Sequence, residues 1–366
     1  MKQAGSYSPQ ICALSDGRAG NVRQADALAA ALLGRAARQT AGDAQAHSLA
    51  KDSLANESIA SDGTATDGNG AAGFSLRPRL PWRLWAPRGG PGAASAFGDD
   101  FRALLHTPPR LAVGCGRQAA LATRLLRERG SRAVQILDPR IDPAHWDLLV
   151  VPEHDAEARP GLRRAGNVLT TLGSLHPIDD AWLAAARADF PAIGALPRPI
   201  TAVLLGGPTR HARFERMAFE VLASKLEVAL ARDGGSVLVL ASRRTPRELR
   251  GVLEHRYADT PGLVWRSERD GPNPYRGALG WADRIVCSPD SVNMVTEACA
   301  TQAPVYVFDP ARVRGRPRRF LDALLARGRI RALEADARHA ILAPFDVEPL
   351  RETARVAAEV RERLGI

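Results

Sequence analysis

The chain has 366 residues, more than a single hydrophobic core usually holds, so we expect two domains. With 45% hydrophobic and 25% charged residues, its composition is that of an ordinary soluble globular protein. No apolar run reaches 18 residues and the N-terminus lacks the apolar core of a secretory signal, which together exclude a transmembrane helix and predict a cytoplasmic location. A net charge of +10 attracts nucleic acid, anionic lipid or phosphorylated small molecules without choosing among them.

The first half of the chain alternates short apolar runs with amphipathic segments. "ICALS" leads into "NVRQADALAAALLG", "LAVGCG" leads into "RQAALATRLLRERG", and the series runs on to a predicted helix near 179–188. This βα alternation predicts a parallel sheet covered on both faces. Residues 39–73 interrupt it, and because they are small, polar and Gly-rich we expect a mobile surface insertion.

The alternation restarts after "FPAIGALPRP", residues 190–199, which reads as an interdomain linker. "ITAVLLGG" precedes a helix, "SVLVLASRR" and "DRIVCS" follow the same pattern, and "PVYVF" closes the set. The fold predicted from these elements is α/β, with two doubly wound domains and a terminal helix. The predicted domains cover residues 1–190 and 197–345, and the terminal helix lies in 346–366.

The four cysteines (Cys12, Cys115, Cys287 and Cys299) are scattered through apolar contexts. We therefore expect reduced, buried thiols. No CxxC pair and no histidine cluster at ligand spacing occurs, so we expect no metal site and no permanently bound cofactor.

In open α/β sheets, ligands bind beyond the carboxyl ends of the strands. "LSDGRAGN" follows the first strand, where Gly17 and Gly20 allow backbone N–H groups to approach a ligand and the helix start that includes Asn21 favours an anion. Asp16 would repel a phosphate, and so is interpreted as a helix cap, a ligand of a sugar hydroxyl or a base. "PEHD" places His154 between two carboxylates, which favour its protonated form and suit proton transfer; a solvated polar loop is the alternative.

Three strand ends of the second half carry the predicted ligand-binding residues. "LLGGPTRH" offers two glycines before a helix, and "ASRRTP" offers two adjacent arginines as a clamp for a diphosphate. "SPDSVNM" is a helix start with Ser288 or Asp290 as the expected N-cap. The candidate residues of these loops are Gly206, Gly207, Ser242, Arg243, Arg244, Thr245, Asp290 and Ser291.

The helix predicted over 291–301 has an apolar stripe at i, i+3, i+4 and i+7, formed by Val292, Val295, Thr296 and Cys299. Asn293 and Glu297 are four residues apart on another face and point in one direction. If that face looks into an interdomain cleft, the Glu297 carboxylate accepts both hydroxyls of a ribose. The alternative is a solvated helix residue.

Two segments combine basic and aromatic residues. Residues 77–88 place two tryptophans among four arginines, and residues 311–320, "ARVRGRPRRF", are strongly basic. Such segments bind an anionic membrane surface or stack on nucleotides. An ordinary edge strand with packed indoles is the alternative for 77–88.

Several strings together resemble the mitochondrial fission, or elongated-mitochondria, protein family. They include "SDGRAGNVRQADALAAAL", "QILDPRIDPAHWDLLVVPEHD", "LLGGPTRH", "ASRRTP", "NPYRGALGWAD" and "DSVNMVTEACATQAPVYVF". The family is similar to the GT-B glycosyltransferases and to the non-hydrolysing sugar-nucleotide 2-epimerases. The resemblance implies two Rossmann-like domains facing a cleft, a terminal helix that crosses back to the N-terminal domain, and a ribose-binding role for Glu297.

Three hypotheses of function follow. The first is a metal-independent transferase that uses a nucleoside-diphosphate sugar, with Asp16 or His154 as base; an epimerase of the same fold is its variant. The second is a non-catalytic adaptor, placed peripherally at the inner face of the membrane. Nucleic-acid binding rests on the net charge alone, and no binding motif supports it.

Overall fold

The computed structural model describes residues 10–34, 65–67, 71–336 and 342–366. The chain divides into two compact units. One contains Met1–Thr171, Leu175–Pro177 and Glu352–Ile366, and the other contains Leu172–Ser174 and Ile178–Arg351. Within the described ranges, no helix has the length and hydropathy that a bilayer crossing requires.

The first unit contains a seven-stranded sheet. In chain order its strands are β1 (Ile11–Ser15), β2 (Ala65–Asp67), β3 (Ala71–Ser75), β4 (Leu111–Cys115), β5 (Arg132–Ile136), β6 (Leu148–Pro152) and β7 (Val168–Thr171). Their order across the sheet is β2-β3-β1-β4-β5-β6-β7, and all pairs are parallel except β2 with β3. The helices are α1 (Ala19–Leu32), α2 (Trp82–Trp85), α3 (Asp99–His106), α4 (Arg117–Arg127), α5 (Glu153–Glu157) and α6 (Pro160–Arg164).

The insertion predicted over 39–73 ends earlier than the composition indicates. Ala71–Ser75 is a strand that pairs in parallel with β1, so the last residues of the predicted insertion belong to the sheet. Ladder hydrogen bonds use only backbone groups, so the small residues of "AAG" form a strand although their composition resembles a linker. Residues 39–64 and 68–70 of this prediction lie outside the described residues.

The second unit contains a six-stranded parallel sheet. Its strands are β8 (Ile200–Leu205), β9 (Ser236–Ala241), β10 (Gly262–Trp265), β11 (Arg284–Cys287), β12 (Val305–Phe308) and β13 (Ile330–Leu333), in the order β10-β9-β8-β11-β12-β13. Its helices are α7 (Asp180–Asp189), α8 (Pro191–Gly194), α9 (Arg216–Asp233), α10 (Arg247–Arg256), α11 (Tyr275–Trp281), α12 (Val292–Cys299) and α13 (Gly315–Ala326). Apolar clusters cover both faces of this sheet, as the near-continuous apolar strands predict.

The boundary between the units differs from the predicted linker at 190–199. Helix α7, predicted as the last element of the first domain, belongs to the second unit. Trp182, Leu183 and Ala186 are buried there in one cluster with Ala278 and Leu279 of α11. An amphipathic helix belongs to the core that covers its apolar face. The Pro- and Gly-rich stretch after α7 lies inside the second unit and contains the short helix α8.

The last helix, α14 (Glu352–Leu364), belongs to the first unit. Val356, Ala357 and Val360 are buried in one cluster with Leu28 and Leu32 of α1. At its first turn, the Thr353 hydroxyl donates to the carbonyl of His176 (2.7 Å) and accepts from the N–H of the same residue (3.0 Å). The helix is therefore held by an apolar stripe and by a paired polar contact at its start.

We expect Val356→Ala to lower the free energy of unfolding by about 1–3 kcal/mol, because it removes fully buried methyl groups and leaves a cavity. Glu362→Ala, on the exposed face of the same helix, should change it by less than about 0.5 kcal/mol. Urea titrations of both variants measure the difference, and equal stability would show that the helix contributes nothing to the core.

An ion pair between a buried arginine and a partly buried aspartate stabilises the second unit near the start of β11. Arg284 is buried and donates from Nη1 to Asp233 Oδ2 at 2.5 Å, while Arg232 donates from Nε to Oδ1 at 2.6 Å. These hydrogen bonds lower the pKa of Asp233 to about 2, and the bond from Arg232 has the largest effect. The ionised carboxylate therefore favours the folded state at all pH values above the ordinary aspartate pKa.

Because the folded-state pKa is depressed, this contribution is present above about pH 4 and is lost as the pH falls towards 2. Asp233→Asn should therefore flatten the decline in unfolding free energy between pH 4 and pH 2. Denaturant titrations at a series of pH values measure the slope, with the exposed Asp259→Asn as control. A slope for Asp233→Asn equal to that of the control would contradict the assignment.

Candidate functional site

Three neighbouring strands of the second unit end in polar loops that meet. Strands β9, β8 and β11 are adjacent and parallel, so their carboxyl ends share one edge of the sheet. The loops after them contain residues 242–245, 206–207 and 288–291, which are the segments that the sequence marks as ligand-binding. The structure brings these three segments into hydrogen-bonding contact.

Asp290 connects the three loops. Its side chain is fully buried, and Oδ2 accepts from the N–H of Gly207 at 3.0 Å and from Nη2 of Arg244 at 2.8 Å. Oδ1 accepts from the Ser288 hydroxyl at 2.6 Å, and Ser288 Oγ in turn accepts from the N–H of Gly206 at 2.7 Å. A buried carboxylate is tolerated only with such donors. Asp290 is thus a structural anchor of the site.

Positions 206 and 207 require glycine, because atoms of the neighbouring loops lie too close to leave space for a Cβ. A Cβ on Gly206 would lie 2.1 Å from Asp290 Oδ2, and a Cβ on Gly207 would lie 2.0 Å from the carbonyl oxygen of Arg244. The N–H groups of both glycines donate within the loop cluster, to Ser288 and Asp290. In this structure the glycines make the loops fit together rather than presenting donors.

Ser242 and Thr245 set the shape of the loop after β9. Thr245 is buried; its hydroxyl donates to the carbonyl of Gly206 (2.6 Å) and accepts from the N–H of Ser242 (2.9 Å). Arg250 donates from Nη2 to the carbonyls of Ser242 and Arg243. The side chain of Arg243 is left exposed at the loop, whereas that of Arg244 is half-exposed and paired with Asp290.

Helix α12 begins directly after this cluster, and its N-cap is Ser291, whose Oγ accepts from the N–H of Met294 at 3.4 Å. The expected cap, Ser288 or Asp290, is therefore wrong. Those two side chains face the neighbouring loops, and a residue cannot cap a helix with oxygens that are turned towards another strand end.

Glu297 is buried on α12, with 5% of its surface exposed, so the interpretation as a solvated helix residue does not hold. The hydroxyl of Tyr275, at the start of α11, donates to Glu297 Oε2 at 2.7 Å. Asn293, one turn earlier, is half-buried. The helix therefore holds one carboxylate inside the protein, with its orientation fixed by a tyrosine.

In the first unit, Asp16 follows β1 and lies close to the loop after β4. Its Oδ1 accepts from Asn21 Nδ2 at 2.9 Å and from the N–H of Arg18 at 3.2 Å. Gly17 has a φ of +74°, which glycine adopts without strain. A Cβ on Gly116 would lie 2.6 Å from Asn21 Nδ2 and 3.1 Å from Asp16 Oδ2. Asn21 thus orients Asp16, and Gly20 lies in the first turn of the same helix.

His154 is buried on α5, after β6. Strands β4 and β5 lie between β1 and β6, so the strand ends that carry Asp16 and His154 are about 14 Å apart, three spacings of about 4.8 Å. The two candidate bases therefore occupy separate places on the sheet edge.

Three residues of these clusters were not predicted as ligand-binding or catalytic, namely Tyr275, Ser288 and Gly116. Tyr275 lies in "NPYRG", a string that carries the family resemblance, and this was the available signal. Ser288 was considered only as a helix cap. Gly116 belongs to a Gly-rich strand-to-helix turn whose closeness to Asp16 depends on the order of the strands.

The fold and its loop clusters define a two-unit α/β protein of the GT-B type. The solved structure of the UDP-GlcNAc 2-epimerase from Methanocaldococcus jannaschii is similar over 97% of this chain and 99% of that chain, with a TM-score of 0.58 and 12% sequence identity. This likeness confirms the predicted fold.

A family profile described as "Mitochondrial fission ELM1" matches residues 19–364, and the chain belongs to that family. The mitochondrial fission protein ELM1 of Arabidopsis thaliana is 29% identical over 307 residues, which cover 76% of this chain and 71% of the plant protein. An uncharacterised protein of Rickettsia prowazekii (strain Madrid E) is 21% identical over 292 residues, covering 71% of this chain and 81% of that one. The predicted family resemblance is confirmed.

The close approach at Gly207 generates a stability prediction. Gly207→Ala should lower the free energy of unfolding by about 1–3 kcal/mol, because the new methyl group meets backbone atoms that cannot rotate away. Gly251→Ala is the matched control: it lies in helix α10 of the same unit, open space surrounds it, and it should be neutral or stabilising by up to about 1 kcal/mol. Urea titration compares the two, and equal effects would contradict the close approach.

Proposed function

We propose that the second unit binds the nucleoside diphosphate of a nucleotide sugar, and that the protein transfers the sugar from it to an acceptor. The observation that carries this proposal is the buried carboxylate of Glu297. Glu297 lies on α12, the helix that follows the Asp290 loop, and its carboxylate accepts a hydrogen bond from the hydroxyl of Tyr275 on α11. A carboxylate accepts several hydrogen bonds and therefore suits a ligand that donates from hydroxyl groups. A ribose supplies two neighbouring hydroxyl groups.

The arginines after β9 suit the diphosphate. Arg243 is exposed at the loop that the Asp290 cluster shapes, and Arg244 is half-exposed beside it. Guanidinium groups bind phosphate oxygens through paired N–H donors, and they stabilise the charge that develops on a leaving diphosphate. In this proposal Glu297 selects the ribose, while Arg243 and Arg244 hold the phosphates.

Asp16 and His154 are the candidate bases of the proposed reaction. Asp16 fits a role in which a carboxylate takes a proton from an acceptor hydroxyl, because Asn21 and the N–H of Arg18 fix its orientation. His154 is the other candidate. No metal takes part in the proposed chemistry, because arginines and helix N-termini supply the positive charge.

Epimerisation of the sugar is the second candidate, and the similar epimerase structure favours it. The two reactions differ in their need for an acceptor, since transfer requires one and epimerisation does not. We choose UDP-GlcNAc as the first probe, because the similar structure is that of a UDP-GlcNAc 2-epimerase. Incubation without an acceptor, followed by chromatography of the sugar nucleotides, separates the reactions: a new isomer of the donor indicates epimerisation.

Glu297→Gln should weaken the binding of uridine, UDP and UDP-GlcNAc alike by about tenfold to a few hundredfold, since each hydrogen bond to a charged group contributes roughly 1.5–3 kcal/mol. Calorimetric titration measures this, with Glu248→Gln on the exposed face of α10 as the matched control. If Glu297→Gln binds uridine as well as the wild-type protein does, Glu297 is not the ribose ligand.

Arg243→Ala should weaken UDP by about tenfold or more and leave uridine within about twofold, because its assigned contact is with phosphate. The ratio of the two affinities is the readout. An equal loss for the nucleoside and for the diphosphate would show that Arg243 acts on the shape of the loop instead. A protein that binds none of the three probes would contradict the proposed function for uridine nucleotides.

A further inference from the structure

An exposed apolar surface lies in the first unit, on residues 76–98. Leu80, Leu84 and Trp85 are 69%, 68% and 60% exposed, although each is large and apolar. Leu84 and Trp85 lie on the short helix α2, and Leu80 lies two residues before its start. Together they expose on the order of 400 Å², in the range in which apolar patches mark interaction sites.

Positively charged residues flank these apolar side chains along the sequence. Arg77, Arg79, Arg83 and Arg88 are all exposed, and residues 76–98 contain neither aspartate nor glutamate. Acidic residues return only at the start of α3, where Asp99 is paired with Arg102 at 2.8 Å. Exposed apolar side chains interleaved with exposed arginines match a surface that is apolar inside and negative outside.

The segment is held in place from beneath. Trp82 is buried with Leu76, Ala93 and Phe97, and its ring meets that of Trp85 edge-on with centroids 5.9 Å apart. Helix α4 adds two contacts, from Arg117 Nη2 to the carbonyl of Arg83 (2.9 Å) and from Arg124 Nη1 to the carbonyl of Pro87 (2.9 Å). The exposed side chains are therefore presented by a fixed backbone, which lowers the entropy cost of binding.

We propose that this surface, formed by Leu80, Leu84, Trp85 and the four arginines, docks on an anionic lipid bilayer. Tryptophan favours the boundary between headgroups and acyl chains, leucine enters the acyl region, and arginine reaches the phosphates with its charged end. The exposed apolar area is about half of the 800 Å² per partner that a stable protein interface buries. A second copy of the chain is therefore the weaker occupant.

The other basic segment, 311–320, does not have this character. Arg312 pairs with Asp309 at 2.6 Å, and Arg318 pairs with Asp322 at 2.7 Å. Its aromatic residue, Phe320, is buried in the core of the second unit. The structure thus selects residues 77–88 from the two segments that the sequence offers. The docking surface does not depend on the proposed function, because it requires neither a nucleotide nor turnover.

Sedimentation of the full chain with vesicles tests the proposal, using phosphatidylcholine alone and phosphatidylcholine with 30% phosphatidylglycerol. The wild-type protein should bind the anionic vesicles at least tenfold more tightly, and added salt should reduce the difference. Leu84→Ser with Trp85→Ser should weaken binding to anionic vesicles at least tenfold. Met217→Ser with Val228→Ser, which removes two exposed apolar residues from the second unit, should leave binding unchanged.

A second set of variants tests the contribution of the arginines. Arg79→Gln, Arg83→Gln and Arg88→Gln together should weaken binding to the anionic vesicles by about a hundredfold, at about fivefold per charge. Arg110→Gln, Arg129→Gln and Arg269→Gln remove three exposed arginines elsewhere and should have a much smaller effect. Equal losses in the two triple variants would overturn the proposal, since net charge alone would then explain binding.

A third readout works without a change in binding strength. Addition of anionic vesicles should shift the tryptophan emission of the wild-type protein to the blue, and Trp85→Phe should abolish most of that shift. Three further results would overturn the proposal. The first is that the Leu84, Trp85 double variant binds anionic vesicles as tightly as the wild-type protein does. The second is that the wild-type protein binds no vesicles but self-associates, and that the double variant does not self-associate. The third is that Trp85→Phe leaves the emission shift unchanged.

Discussion

The carboxylate of Asp290 is the contact on which the candidate site of the second unit depends. It joins loops from three adjacent strands, and its burial is tolerated because two N–H donors and one hydroxyl satisfy it. The space that it occupies is the space that a Cβ at Gly206 would need. The buried carboxylate of Asp290 therefore requires glycine at position 206. Its bond to Arg244 also holds the loop after β9, on which the side chain of Arg243 is exposed.

The helix after this anchor is fixed at both ends, which gives Glu297 a defined position. Ser291 caps its first turn, and the buried guanidinium of Arg329 donates to the carbonyl of Cys299, the last residue of the helix, and to that of Thr301 just beyond it. A side chain on a helix held in this way is more precisely placed than one on a loop. Tyr275 then sets the direction of the Glu297 carboxylate itself.

The first unit shows how a single short segment can serve both structure and surface. Trp82 and Trp85 have similar neighbours in the sequence, and yet one is 8% and the other 60% exposed. The buried indole ties the segment to the core, and the exposed indole is left available at the surface. Positions three apart on a helix differ by about 60° around its axis and by about 4.5 Å along it, so one ring can face the core while the other faces solvent.

The sequence alone determined the fold class, the approximate strands and helices, and the loops at the strand ends. It could do so because burial on two faces of a parallel sheet leaves a local pattern: short apolar runs, amphipathic helices between them, and glycines at tight turns. The strings that identify the family are local as well. The predicted loops after β8, β9 and β11 are those that meet in the structure.

Only the tertiary structure decided what those residues do. Asp290 meets Gly207 across 83 positions of sequence and Arg244 across 46, and Glu297 meets Tyr275 across 22. No local pattern records such pairs, because the order of strands in the sheet creates them. The same reason explains why the linker predicted at 190–199 is not the boundary between the units. The sequence shows that α7 has an apolar face but not which core covers it, and the packing of Trp182 with the α11 residues decides this.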